Sequence, residues 1–162
     1  MLGRTAQGER HYTGLGSIYS RLAIYRATLR IIGEHPLLGV GPGGFIYELP
    51  KWRPVTATGG FVNAQLHSFV NYAHNDYLQV ASEAGVPAAA LFVLFWLLVL
   101  RRSLAGPPQL VGAGFGLAAL LLHGLVDGNL TINPAAAFLA FAVAGLLYAH
   151  PDAEESTGQQ VA

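Results

Sequence analysis

Three polar residues stand in a row at His74, Asn75 and Asp76, inside the run YAHNDYLQVASEAGVPA of residues 72–88. A neutral imidazole takes a proton from a hydroxyl near pH 7, which is the task of a general base. Asn75 or Asp76 suits a helix N-cap, because a side-chain oxygen there accepts an orphan backbone N–H. Residues 77–84 then read as a short amphipathic helix, with Gly85 as its stop and Pro87 in the first turn of another. No charged residue occurs from Ala84 to Leu100. The pattern holds a polar cluster at a helix start, one short helix away from a bilayer surface. That arrangement suits chemistry on a substrate anchored in lipid.

Two other stretches invite a chemical reading. His67 lies seven residues before His74, so on a continuous helix the pair would share a face and offer two metal ligands. No third ligand stands at a recognised spacing, and a packed or hydrogen-bonded His67 is the better reading. Gly39, Gly41, Gly43 and Gly44 resemble a nucleotide loop only in their glycines. A dinucleotide fingerprint follows a strand and opens a helix, whereas this run follows a helix and leads into Tyr47-Glu48-Leu49-Pro50. Gly-Lys-Ser/Thr is absent, which excludes a P-loop. The glycines are better suited to a tight turn with close backbone approach.

The elements that position these residues follow from periodicity. Residues 1–16 form a polar, Gly-rich lead-in. A helix is expected from Ser17 or Ser20 to about Ile32, with Ile18, Leu22, Tyr25, Leu29 and Ile32 on one face. Arg21 flanks that stripe on one side, Arg26 and Arg30 on the other. The last two read equally as a solvated helix edge or as contacts for a ligand. Gly33 stops the helix and Pro36 forbids its continuation, and residues 50–70 are irregular.

Three apolar segments follow, expected as transmembrane helices at about 86–103, 109–126 and 132–149. Each nears the roughly 17–20 residues a spanning helix needs, and each is apolar all round, with no face for water. Arg101 and Arg102 close the first span, so the positive-inside rule puts the following loop in the cytoplasm. Residues 1–85 are then a periplasmic domain, mostly helical with Gly-rich turns, and residues 150–162 a cytoplasmic tail. The fold class is all-α and integral to the membrane.

Charge and cysteine content narrow the class further. Residues 1–76 carry seven Arg or Lys against four acids, while residues 87–149 carry only Arg101, Arg102 and Asp127. The basic residues are spread along a helix rather than clustered, which argues against nucleic acid. With no cysteine there is no disulfide framework and no thiolate metal site. The first sixteen residues lack the apolar core of a secretion signal. Translocation of 85 residues ahead of the first span calls for a membrane segment upstream, so the chain is expected to be the C-terminal part of a longer multispanning protein.

RLAIYRATLRIIGEHPLLGVGPGGF, AHNDYLQVASEAG and HGLVDGNLTINPAA together resemble the O-antigen ligase and polymerase family of bacterial polysaccharide assembly. The resemblance covers residues 21–148 and matches that family's large periplasmic loop and last three membrane helices, a fragment of a GT-C-like multispanning fold. Its ligase motif is His, then Asn, Ser or Gln, nine residues, Gly, two residues, then Gly, Thr or Tyr. Here His74-Asn75 and Gly85 keep that spacing, and Ala88 departs at the last position.

The resemblance implies transfer of a glycan from an undecaprenyl-diphosphate carrier to a hydroxyl of a lipid or glycan acceptor in the bacterial inner membrane, with no metal and no cofactor. It implies His74 as the base and Arg21 as the guanidinium that holds the diphosphate, through two oxygens at once. Arg26, Arg30, Asn75 and His67 are then expected near the substrate. Asp76 and Asn75 cap the helix and orient His74, and Gly85 breaks it. Asp127, beside His123 at the outer end of the second span, is an acid close to hydrocarbon and a functional candidate, or an interfacial residue that turns the chain. Two alternatives stay open: a polymerase rather than a ligase, and a truncated, non-catalytic protein that only packs with partner membrane proteins.

Overall fold

The computed structural model describes residues 14–52, 70–106 and 108–149. Five helices occur there and no strand is found among the described residues: α1 (Gly14–Glu34), α2 (Phe45–Trp52), α3 (Asp76–Leu104), α4 (Pro108–His123) and α5 (Pro134–Ala149).

The first helix is longer than its local signals imply, and it buries a different stripe. Ile24, Ala27, Thr28 and Ile31 are buried, whereas Ile18, Leu22 and Leu29 stay exposed. Both stripes have helical spacing. The small Ala27 and Thr28 allow close approach of a neighbour, and the Thr28 hydroxyl is satisfied by the Ile24 carbonyl at 2.8 Å. Phe45 and Leu49 of α2 complete this core together with Ala73. The glycine run thus does open a helix, an eight-residue one with Pro50 inside it. Residues 45–52 were expected to be irregular only from Pro50 onward, and helix persists to Trp52.

α3 begins where the sequence places it. Asn75 is the cap: its backbone is extended and its Oδ1 accepts the Leu78 N–H at 2.9 Å. Asp76, the other cap candidate, is instead the first helical residue. At Gly85 the backbone leaves helical geometry, with φ +87 and ψ 166, so α3 is two helices joined at a kink. The turn at residues 36–41 fills that kink. Val40 and Gly41 donate to the carbonyls of Ser82 and Glu83 at 2.9 Å, and Val86 donates to Pro36 at 2.8 Å. A Cβ on Gly85 would lie 2.1 Å from the Leu37 carbonyl oxygen. Only glycine fits there.

The second core unites the C-terminal helices. Trp96 and Val99 of α3 pack with Leu117 and Leu121 of α4 and with Ala140 and Ala144 of α5. α3 is long and apolar enough to cross a membrane. The apolar stretches Leu110–His123 and Pro134–Leu146 are shorter. At 16 residues each, α4 and α5 rise about 24 Å, below the roughly 30 Å of a bilayer core. The helices end short of the segments expected at 109–126 and 132–149 for local reasons. After His123 the chain turns at Gly124, and Asn133 caps the next helix by accepting the Ala135 N–H at 3.1 Å.

Candidate functional site

Two side chains from separate segments meet at the carboxylate of a third. His74 Nδ1 lies 2.9 Å from Asp127 Oδ1, and Arg21 Nη2 lies 3.3 Å from Asp127 Oδ2. Arg21 Nη1 also donates to the Val126 carbonyl. Asp127 therefore lies between α1 and the start of α3. The side chains of Arg21, His74 and Asp127 are 35–37% exposed, so the cluster is open to a substrate.

The backbone at His74 is unusual. Its φ of +53 makes it the one non-glycine residue in the left-handed region among those described. Such strain persists only where neighbours hold it. Here they do: the Tyr25 hydroxyl donates to the His74 carbonyl at 2.8 Å, and the Ala73 N–H donates to Gln79 Oε1 at 2.7 Å. Burial pushes the Tyr25 phenol above its ordinary value, which keeps it a donor.

The tautomer follows from the carboxylate. An acceptor at Nδ1 requires the proton on Nδ1, which in the neutral ring leaves Nε2 with its lone pair. Nε2 has no partner among the described residues. Asp127 itself is under opposing influences. Burial would raise its carboxyl, but the hydrogen bond from His74 and the charge of Arg21 outweigh that and hold it below the usual range.

Asp76 explains why Asp127 sits there. Its side chain is 1% exposed. Its oxygens accept the backbone N–H groups of Asn129, Leu130 and Thr131 at 2.9–3.1 Å and the Thr131 hydroxyl at 2.6 Å. Its own N–H donates to the Gly124 carbonyl at 2.9 Å. Asn75 adds a bond from Nδ2 to the Leu125 carbonyl at 2.8 Å. The loop between α4 and α5 is thereby tied at both ends to the start of α3, with Asp127 between the ties.

Asp76→Asn replaces one acceptor oxygen with an amide that faces N–H donors. We expect a loss of about 1–3 kcal/mol for the donors left unpaired, read as a lower melting temperature of the detergent-solubilised protein.

The expected residues divide accordingly. Arg21, His74 and Asp127 come together, with Asn75 and Asp76 beneath them. The His123 ring bonds the Asn129 side chain, and its carbonyl accepts the Asp127 N–H at 3.0 Å. Arg26 and Arg30 are exposed and form no ion pair among the described residues. Gly85 lies at the kink, and His67 lies outside the described residues. Sequence reasoning read Tyr25 only as part of an apolar stripe and passed over the Asn129–Thr131 backbone. The polar run after Asp127, GNLTIN, was the available sign that this loop has more to do than turn.

Comparison with known proteins gives a family. A family model described as O-antigen ligase matches residues 3–93, more than half of the chain. No curated protein matches it.

Proposed function

Because this chain belongs to the O-antigen ligase family, we propose that His74, Asp127 and Arg21 are the reacting end of a glycan transferase whose donor is an undecaprenyl-diphosphate-linked glycan. Membership itself carries the coarser statement: a ligase- or polymerase-like membrane protein that works on lipid-linked glycans. The Arg21–Asp127–His74 connection is the observation that supports the finer reading. Asp127 holds the His74 ring through Nδ1 and leaves Nε2 as the nitrogen available to a substrate. Nε2 takes the proton of the acceptor hydroxyl as its oxygen bonds to the anomeric carbon. The bond from that carbon to the diphosphate oxygen breaks with its electron pair, and undecaprenyl diphosphate departs. The N–H groups that Arg21 does not spend on Val126 and Asp127 face the charge that develops on the leaving group.

Arg21→Lys tests the guanidinium. Lys keeps the charge but cannot reach two acceptors in a plane, so transfer of lipid-linked glycan in membrane vesicles should fall to a small fraction of the parent's. Transfer at the parental rate would mean that the diphosphate is held elsewhere.

In this reading α3, α4 and α5 are three spans with residues 1–85 periplasmic. A reporter fused after Gly106 is then expected to behave as cytoplasmic, because Arg101 and Arg102 precede it. One fused after Gly128 should behave as periplasmic. The opposite pattern would put His74 on the wrong side of the membrane and end the proposal.

A further inference from the structure

We propose that Leu37 and Leu38 form an anchor that inserts into the lipid of the outer leaflet, at the point where α3 enters the bilayer. These side chains are 70% and 84% exposed, although they sit in one of the most firmly tied turns of the molecule. The Gly39 N–H closes the turn onto His35 at 3.0 Å. Pro36, Val40 and Gly41 are bonded to Val86, Ser82 and Glu83 on either side of the kink. Glu83 also reaches over to accept the Gly43 N–H at 3.1 Å. Two adjacent leucines held this rigidly in water have no folding reason to be apolar, since neither belongs to a buried core.

The position of the turn along α3 identifies what covers them. The inference rests on α3 crossing the bilayer with Arg101 and Arg102 at its far face. A hydrocarbon core of about 30 Å corresponds to about 20 helical residues. Counted back from Arg101, the unbroken helix reaches Val86 after about 15 residues, or about 22 Å, so the remaining depth falls at the kink and the turn bonded to it. Leu37 and Leu38 therefore lie at the level of the acyl boundary, continuous with the exposed apolar surface that begins at Val86. Residues at that depth gain by transfer from water to lipid. The anchor would fix the height of the turn, and so of the helix start at Asn75, above the membrane.

The absence of cysteine makes the test direct. Leu38→Cys and Leu91→Cys, each labelled with an environment-sensitive fluorophore, are reconstituted as full chains in phosphatidylethanolamine–phosphatidylglycerol vesicles. Leu91 is 67% exposed on the membrane-capable part of α3 and reports whether that helix crosses. Expected is a blue-shifted Leu38→Cys probe, quenched most by lipids with the quencher high on the acyl chain and little by aqueous iodide. The Leu91→Cys probe should be quenched most by a quencher deep on the chain. Iodide quenching at Leu38, or protection from both iodide and lipid by a protein cover, overturns the anchor while Leu91 still reports a crossing helix. Loss of lipid quenching at Leu91 overturns the crossing of α3, and the anchor with it.

Discussion

His74→Ala should lower glycan transfer about 10²–10⁴-fold, the usual contribution of a general base, while the protein accumulates in the membrane at close to the parental level. The control lies in the backbone. At φ +53 an alanine pays for a left-handed conformation, a cost of order 1–3 kcal/mol for non-glycine residues. His74→Asn separates the two effects, because Asn tolerates that region far better than most side chains yet has no basic nitrogen. If only the shape of the turn mattered, Asn would restore transfer. We expect it to keep accumulation and stability at the parental level but not transfer, and a His74→Asn protein that transfers like the parent would remove His74 from the mechanism.

Asp127→Asn is the second large effect, and its sign depends on the tautomer. The carboxylate accepts from His74 Nδ1. An amide of the same size can instead donate to Nδ1, which moves the ring proton to Nε2 and blocks the atom that must accept. Arg21 also loses the charge it pairs with. A drop in transfer of the order of 10²–10⁴ is expected, as large as loss of the base itself. Because both substitutions disable one unit, the double variant should be little worse than either alone.

The same substitution has a signature in acid. The folded-state carboxyl of Asp127 is held below its ordinary value: burial opposes this, while the His74 hydrogen bond and Arg21 prevail. A depressed carboxyl contributes stability that is complete above the unfolded value of about 3.9 and disappears as pH falls through the folded one. The melting temperatures of parent and Asp127→Asn should therefore begin to converge as pH falls below about 4 and meet only below the folded value. A gap that stays constant into acid would mean that the carboxylate contributes no linked stability.

Local signals carried the start and break of α3. Asn75 before an amphipathic run and Gly85 before Pro87 are written within a dozen residues of each other, and caps and breaks depend on near neighbours. The partner of His74 was not legible, because Asp127 is 53 residues away and reaches it through the bonds of Asp76 and Asn75 to the α4–α5 loop. The buried face of α1 was misjudged for a related reason. Leu22 and Leu29 are more apolar than Ala27 and Thr28, but close helix approach selects small residues, and that selection depends on the neighbour rather than on periodicity. The length of α4 was overestimated because hydropathy runs on through Val126, whereas the chain leaves the helix at Gly124 to satisfy Asp76 and Asn75.

The tie from Asp76 to Asn129, Leu130 and Thr131 also orders events during synthesis. In the proposed topology a ribosome releases His74 well before residues 127–131, and the loop that carries them must follow α4 to the same side of the membrane as His74. Until it arrives, His74 has neither its carboxylate nor the clamp that fixes the loop below it. On the proposed reading, a nascent chain at the membrane is kept idle by its own connectivity and becomes competent only when the α4–α5 hairpin has inserted. Misinserted chains, with that loop on the wrong side, would stay inert rather than transfer glycan at random.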